Sequence, residues 1–123
     1  MKTPKILILD DEESVTDLYS DFLEDVSVSI DLCNCPQKAW QQIDTNVYDL
    51  IITDIIMPRI DGEEFLKIIR NNKQHSNTPV IIATGVANDL HKSLARTNDN
   101  ISLIEKPFTQ DSFNSLIQNI VGF

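Results

Sequence analysis

A chain of 123 residues, 41% hydrophobic with three glycines and five prolines, is long enough to bury one core and too short for two ordinary domains; its composition excludes disordered, collagen-like and repeat proteins. The formal charge of -9, with eight acids against two lysines in the first 25 residues, argues against binding nucleic acid through this domain. The longest apolar runs, 6–9 and 80–83, fall far short of a membrane span and the N-terminus has no apolar signal region, so a soluble, cytoplasmic protein without membrane contact is expected.

Helical and strand signals alternate along the chain. Lys5 to Leu9 is a continuous apolar run and predicts a strand. Val15, Leu18, Tyr19, Phe22, Leu23 and Val26 then recur at helical spacing on one face. Ser27 to Cys33 alternates, with Val28, Ile30 and Leu32 on one side, as in a half-buried strand. Pro36 can open the next helix, whose face carries Ala39, Trp40, Ile43 and Val47. Leu50 to Thr53 reads as a third strand, and Phe65, Ile68 and Ile69 mark a third helix with Gly62 supplying a tight turn before it. Val80 to Ala83 is a fourth strand after Pro79. Asn88 to Arg96 is a weakly amphipathic fourth helix anchored by Ala87, Leu90 and Leu94. Ile101 to Glu105 is a short fifth strand, and Phe113, Leu116, Ile117, Ile120 and Val121 define an amphipathic last helix. Cys33 and Cys35, one residue apart, are awkward to bridge and too few for structural zinc, so free thiols are expected. His75 and His91 are isolated and read as exposed polar positions, and Trp40 as helix packing.

Five strands alternating with five helices imply an α/β fold, a doubly wound parallel sheet covered on both faces. Strands one, three and four are apolar throughout, as central strands should be, whereas two and five alternate, as edges should. The order 2-1-3-4-5, that of the flavodoxin- and CheY-like folds, satisfies this and puts its topological switch between strands one and three. Open α/β sheets bind ligands there, beyond the carboxyl ends of the strands.

Polar residues stand where the strands stop. Asp10 and Asp11 follow KILIL, Asp54 follows LIIT, Thr84 follows VIIA and Lys106 follows ISLIE. Singly, each has an ordinary explanation: Asp10 or Asp11 as a helix N-cap, Thr84 as a strand-end residue, Lys106-Pro107 as a surface turn. Jointly they describe a reaction centre. Two unit charges about 4 Å apart interact by about 4 kcal/mol at an effective dielectric near 20, so three clustered carboxylates need cations. Oxygen-only ligands with no histidine or thiol nearby suit Mg²⁺, for which Mn²⁺ could substitute. Such a pocket, with Lys106 and a hydroxyl, is a receptor for a phosphoryl group.

With ILILDDE, TDIIMPRIDG, VIIATG and EKPF in this order, the chain resembles the receiver domains of two-component response regulators over essentially its whole length. The resemblance implies that Asp54 takes a phosphoryl group from a phosphohistidine of a histidine kinase or phosphotransfer protein. It also implies that Asp11 binds Mg²⁺ directly, Asp10 mainly through water, and the backbone carbonyl of Ile56 as a further ligand. Lys106 would pair with Asp54 and then with phosphoryl oxygens. Thr84 would be the switch hydroxyl with Gly85 leaving room beside it, and the surface of the fourth and last predicted helices and the fifth predicted strand would change. Met57 and Pro58 match the family's loop as scaffold.

The chain departs from the family at Leu103, where Tyr or Phe usually stands three residues before the lysine, which implies muted switching or different packing. Ile56 and Val86 fall at the two variable positions flanking the phosphoryl group; being apolar, they should make autodephosphorylation slow. The competing enzyme reading is an Mg²⁺-dependent phosphohydrolase with an aspartyl-phosphate intermediate, but such an enzyme would want a second acid at the position of Ile56 and a substrate cap. Flavin binding would want a glycine- and hydroxyl-rich loop in place of DDEES. We therefore expect a non-enzymatic phosphoacceptor switch. It should form one domain over 1–123 without an output domain, either natural from Met1 or excised from a larger protein. It should act on a downstream protein target that the sequence does not name. The last helix carries no Lys or Arg, which favours a monomer or weak dimer.

Overall fold

In the computed structural model, residues 3–10, 12–54, 56–57, 60–84, 100–106 and 108–122 are described. The elements in chain order are β1 (Lys5–Leu9), α1 (Glu13–Phe22), β2 (Ser29–Cys33), α2 (Pro36–Thr45), β3 (Leu50–Thr53), β4 (Ile56–Met57), β5 (Ile60–Asp61), α3 (Gly62–Asn71), β6 (Val80–Thr84), β7 (Ile101–Glu105) and α4 (Gln110–Val121). The main sheet runs β2-β1-β3-β6-β7 and all of its pairings are parallel. Leaving aside the small β4/β5 pair, this is the expected 2-1-3-4-5 order. The predicted fourth helix, 88–96, lies outside the described residues.

Burial explains the order. β1 is buried from Ile6 to Leu9 and β3 throughout, because helices cover both of their faces. Ile6 and Ile8 of β1 join Leu50 and Ile52 of β3 under Tyr19 and Leu23 on one side, with Phe113 and Ile117 of α4. Leu7, Leu9 and Ile51 face the other side, against Ala39 and Ile43 of α2 and Phe65, Leu66 and Ile69 of α3. Each such aliphatic side chain removed from water stabilises by about 1.5–3 kcal/mol before entropy is counted. The period-2 alternation assigns every β1 and β3 residue to one of the two layers, so Asp10 and Asp54, continuing the Ile6–Ile8 and Leu50–Ile52 rows, fall on the α1/α4 side.

Several expectations change in detail. β2 starts at Ser29, two residues later than its pattern suggests, and β6 runs on through Thr84. Leu18, Leu32 and Val47 are exposed, not packed. Val47 lies beyond the end of α2, and Leu32 stands on an edge strand with no neighbour outside it. β7 is half-buried along most of its length and does not alternate. The loop after Asp54 contains the unpredicted antiparallel pair β4/β5, with Ile56 opposite Asp61, and Gly62 is the first residue of α3. Cys33 and Cys35 are free thiols, Cys33 buried, and Trp40 packs half-buried against the α2/α3 core.

His75 is the largest correction. Far from an exposed polar position, it is 0% exposed. Its Nε2 accepts the backbone N–H of Tyr48 at 3.1 Å and its Nδ1 faces Asn72 Oδ1 at 3.0 Å, tying the turn after α3 to the start of β3. Among the described residues no helix is long and apolar enough to cross a membrane.

Candidate functional site

Parallel register brings the strand-end residues to one level. Leu9 pairs with Thr53 and Thr53 with Ile82, so Asp10 and Asp54 emerge side by side at the next position. The ladder holds them there: Asp10 N–H donates to the Cys33 carbonyl at 3.1 Å and Asp54 N–H to the Leu9 carbonyl at 3.2 Å. β7 pairs with β6 up to Glu105 opposite Thr84, which delivers Lys106 to the same end of the sheet.

The ammonium of Lys106 closes the site. It donates to Asp10 Oδ2 at 2.6 Å and to Asp54 Oδ2 at 3.0 Å, joining residues 96 and 52 positions apart in sequence. Side-chain exposure is 1% for Asp10, 13% for Asp54 and 20% for Lys106. Among the described residues, one cation therefore serves two carboxylates that are largely shielded from water.

Burial pushes the Asp10 carboxyl above its ordinary range, even though Lys106, the Glu12 N–H and the ammonium's charge all pull the other way and Asp54 adds to the rise. Burial also works against the charge on Lys106, but its hydrogen bonds to Asp10 and Asp54 outweigh that and hold the ammonium above its ordinary value. The ammonium is thus secured, while burial still disfavours the charged form of Asp10.

Asp10 is not an N-cap of α1. The helix is preceded by Glu12, which makes no side-chain cap, and Asp10 Oδ1 instead accepts the Glu12 N–H at 3.0 Å, shaping the turn that leads from β1 into the helix. Asp11, Gly85 and Val86 lie outside the described residues, as do the side chains of Ile56 and Thr84, so their expected roles rest on the sequence. Leu103 is partly buried and packs against the α2/α3 core, on the sheet face opposite Tyr19.

Two supporting residues escaped the sequence reading. Asn34, just past β2, donates from Nδ2 to the Asp10 carbonyl at 3.0 Å and to Thr16 Oγ1 at 3.2 Å, clamping the β1 end to buried Thr16 of α1. It is itself a polar residue at a strand end, so the rule that found Asp10, Asp54 and Lys106 also points to it. Tyr19, read as core, is buried with a hydroxyl that has no hydrogen-bond partner among the described residues; apolar periodicity hides such a group.

A cation fits what is present. The donor set is carboxylate oxygen, Asp10 is buried and its carboxyl is pushed up by that burial, and a hard divalent ion prefers such ligands. Among the described residues there is no cluster of three or more metal-ligating side chains; the third carboxylate of the expected set, Asp11, lies outside them. Beside Lys106 a surface hollow of about 270 Å³ is lined by Val15, Leu18 and Phe108, which leaves an apolar rim next to the acidic centre.

A family model, that of the response regulator receiver domain, matches residues 6–118. Among curated proteins the chain is 29% identical over 120 residues to the response regulator Rre1 of Synechocystis, covering 95% of this chain and 51% of that protein. The chain spans about half the length of such relatives. Among solved structures, chemotaxis protein CheY4 of Vibrio cholerae superimposes with a TM-score of 0.89 at 24% identity, over 97% of this chain and 99% of that one. The receiver domain of sensor histidine kinase PA1611 from Pseudomonas aeruginosa, described with a magnesium ion coordinated in its active-site cleft, gives 0.85 at 20% identity over 99% and 100% of the two chains. At these identities the two structures speak for the fold.

Proposed function

From the premise that the chain belongs to the response regulator receiver family, we propose that it is a phosphoacceptor switch in which Asp54 takes a phosphoryl group from a phosphohistidine of a histidine kinase or phosphotransfer protein. The observation that carries this reading is the bridge of Lys106 to both Asp10 and Asp54 at the carboxyl end of the sheet. Asp54 is the more exposed of the two acids, which supports it as the attacking group, while Asp10 is sealed from water.

The chemistry follows from the residues. A carboxylate oxygen of Asp54 attacks phosphorus, the bond from phosphorus to the donor nitrogen breaks, and an acyl phosphate forms. Lys106 is already paired to Asp54 and can follow the charge onto the phosphoryl oxygens, stabilising them as they gain charge. Asp10, Asp11, Asp54 and the Ile56 carbonyl would hold Mg²⁺, or Mn²⁺ in its place; when bound, that ion supplies the positive charge that balances clustered carboxylate and phosphoryl oxygens. The Thr84 hydroxyl, one position beyond the level of Asp54, would bond the new phosphoryl group, with Gly85 leaving room, and transmit its arrival to the surface of 88–96, β7 and α4. The apolar hollow beside Lys106 supports a protein donor.

Incubation of the chain with acetyl phosphate and Mg²⁺, read by intact mass, tests the proposal. A gain of one phosphoryl, lost in Asp54→Asn and blocked by chelator, is the expected result; no gain in the parent contradicts it. The apolar Ile56 and Val86 offer no group to orient a hydrolytic water, so the parent should lose its phosphoryl slowly and Val86→Glu about tenfold faster.

A further inference from the structure

One buried polar group takes no part in the phosphoryl transfer proposed for Asp54. Tyr19, in the second turn of α1, is 1% exposed, and its hydroxyl finds no hydrogen-bond partner among the described residues. Its ring is held from several sides. It stacks on Phe108 with centroids 5.6 Å apart and on Phe113 at 5.2 Å, and Phe108 and Phe113 stack on each other at 5.1 Å. Phe22 closes the cluster from the edge, 6.2 Å from Phe108.

Placement ties this aromatic group to the site. Tyr19 packs on the sheet face shared by Ile8 and Ile52, the residues whose rows end in Asp10 and Asp54, and Phe108 follows Lys106 by two positions. Burial first, and then the negative charges of Asp10 and Asp54, push the phenol far above its ordinary value. The proton therefore stays on the oxygen, and the group is a permanent donor within the electrostatic reach of both carboxylates.

Among the described residues, Asp10 accepts from one ammonium and one backbone N–H. A carboxylate has about four lone-pair positions, so it has capacity for a further donor. Once Asp54 carries a phosphoryl group, the Lys106 ammonium is drawn toward the new oxygens and Asp10 loses part of the side-chain donor described for it. Tyr19, on the sheet face whose rows end in Asp10 and Asp54, is the described buried group there with a donor to spare.

Resting on the phosphoacceptor reading, we propose that Tyr19 is a positioning residue of the site: its hydroxyl donates to the acidic cluster when Lys106 engages the phosphoryl group, and so stabilises the phosphorylated state. Because the ring is stacked on Phe108, the same small movement is passed to the chain just after Lys106 and to α4, on the sheet face opposite Leu103.

The test compares the parent, Tyr19→Phe and Phe22→Leu, each treated with acetyl phosphate and Mg²⁺. The lifetime of the phosphorylated form is read by intact mass and tyrosine absorption by difference spectroscopy. Tyr19→Phe should keep the parent's thermal midpoint, still take up a phosphoryl group, and lose it about tenfold faster, as expected for removal of a hydrogen bond to a charged group. The parent should show a red shift of tyrosine absorption on phosphorylation that Tyr19→Phe does not. Phe22→Leu, which loosens the same cluster but leaves the hydroxyl, should lower the thermal midpoint without shortening the lifetime. Equal lifetimes for parent and Tyr19→Phe, or an equally shortened lifetime in Phe22→Leu, would overturn the assignment to the hydroxyl while leaving the acceptor reading intact. A parent that gains no phosphoryl at all would overturn both.

Discussion

The two edges of the sheet solve the problem of buried polar groups in opposite ways. At the N-terminal edge, His75 accepts from Tyr48 N–H, Asn72 faces its other nitrogen, and Arg70 Nη1 donates to the carbonyls of His75 and Thr78 at 3.1 and 2.8 Å. Tyr48 Oη donates to Asp31 at 2.7 Å, and Lys5 Nζ to Asn46 Oδ1 at 2.6 Å. These donors and acceptors are paired, each bond having at most one charged partner. At the C-terminal edge, one ammonium spans two carboxylates, one of them sealed from water, and a tyrosine hydroxyl is left over. Matched networks hold a fold; a strained one is held by the fold.

Removing the cation of the unbalanced edge should have the largest effect. Lys106→Ala takes away the one described donor shared by both acids, and its rate of phosphoryl uptake, followed by intact mass over time, should fall about 100-fold, the scale of losing a preorganised charge-stabilising donor. An unchanged rate would mean that the bridge is structural.

Breaking the matched edge should act on stability and leave phosphorylation alone. His75→Leu leaves the Tyr48 N–H unpaired in the interior and should cost about 1–3 kcal/mol in chemical denaturation, with phosphoryl uptake unchanged under folding conditions. The edge should also respond to acid. Burial holds the His75 imidazole below its ordinary value of 6.5, with Asp44 partly opposing, so the unfolded chain binds the proton more readily than the folded one. Its contribution is present above about pH 6.5 and is lost as pH falls from there toward the lower folded value. Thermal midpoints measured between pH 7.5 and 5.5 should drop in the parent and drop less in His75→Leu.

Asp10→Asn sharpens the contrast from the other side. Because burial raises the Asp10 carboxyl above its ordinary 3.8, the folded chain holds that proton more tightly, and the charged form costs stability at every pH above the shift. The neutral isostere should raise the thermal midpoint by a few degrees while slowing phosphoryl uptake. A variant that is both more stable and less active identifies a site maintained at the expense of the fold. The smallest effect is expected at Lys5. Its ion pair with Asp31, 3.8 Å apart with both side chains about one-third exposed, should contribute no more than about 0.5 kcal/mol, so Lys5→Met, which also loses the bond to Asn46, should lower a denaturation midpoint less than His75→Leu does.

The same contrast explains what could be read from the sequence. The central strands were visible because both of their faces are buried, which writes KILIL and LIIT as unbroken apolar runs. The site was visible because parallel register turns strand ends into neighbours, so that polar residues in those positions must meet. The matched edge was not visible. His75 sits in the polar stretch HSNTP, and nothing in periodicity distinguishes a histidine sealed by a backbone N–H from one in water. Leu18 and Val47 misled for a related reason: helical spacing names a face but not where the helix ends or how far its covering reaches. Tyr19 was legible as core and illegible as chemistry, because an apolar pattern counts the ring and ignores the oxygen. Asn34 was within reach, since it follows a strand as Asp10 and Asp54 do.

The central claim, that Asp54 becomes an acyl phosphate beside Lys106, is tested most directly by trapping the phosphorylated chain with borohydride, which reduces an acyl phosphate to the alcohol, and mapping the change by peptide mass spectrometry. The account predicts homoserine in place of Asp54, with Asp10 unmodified and no trapping in Asp54→Asn. Reduction at Asp10, or a phosphoryl group that resists borohydride because it sits on a hydroxyl, would contradict it.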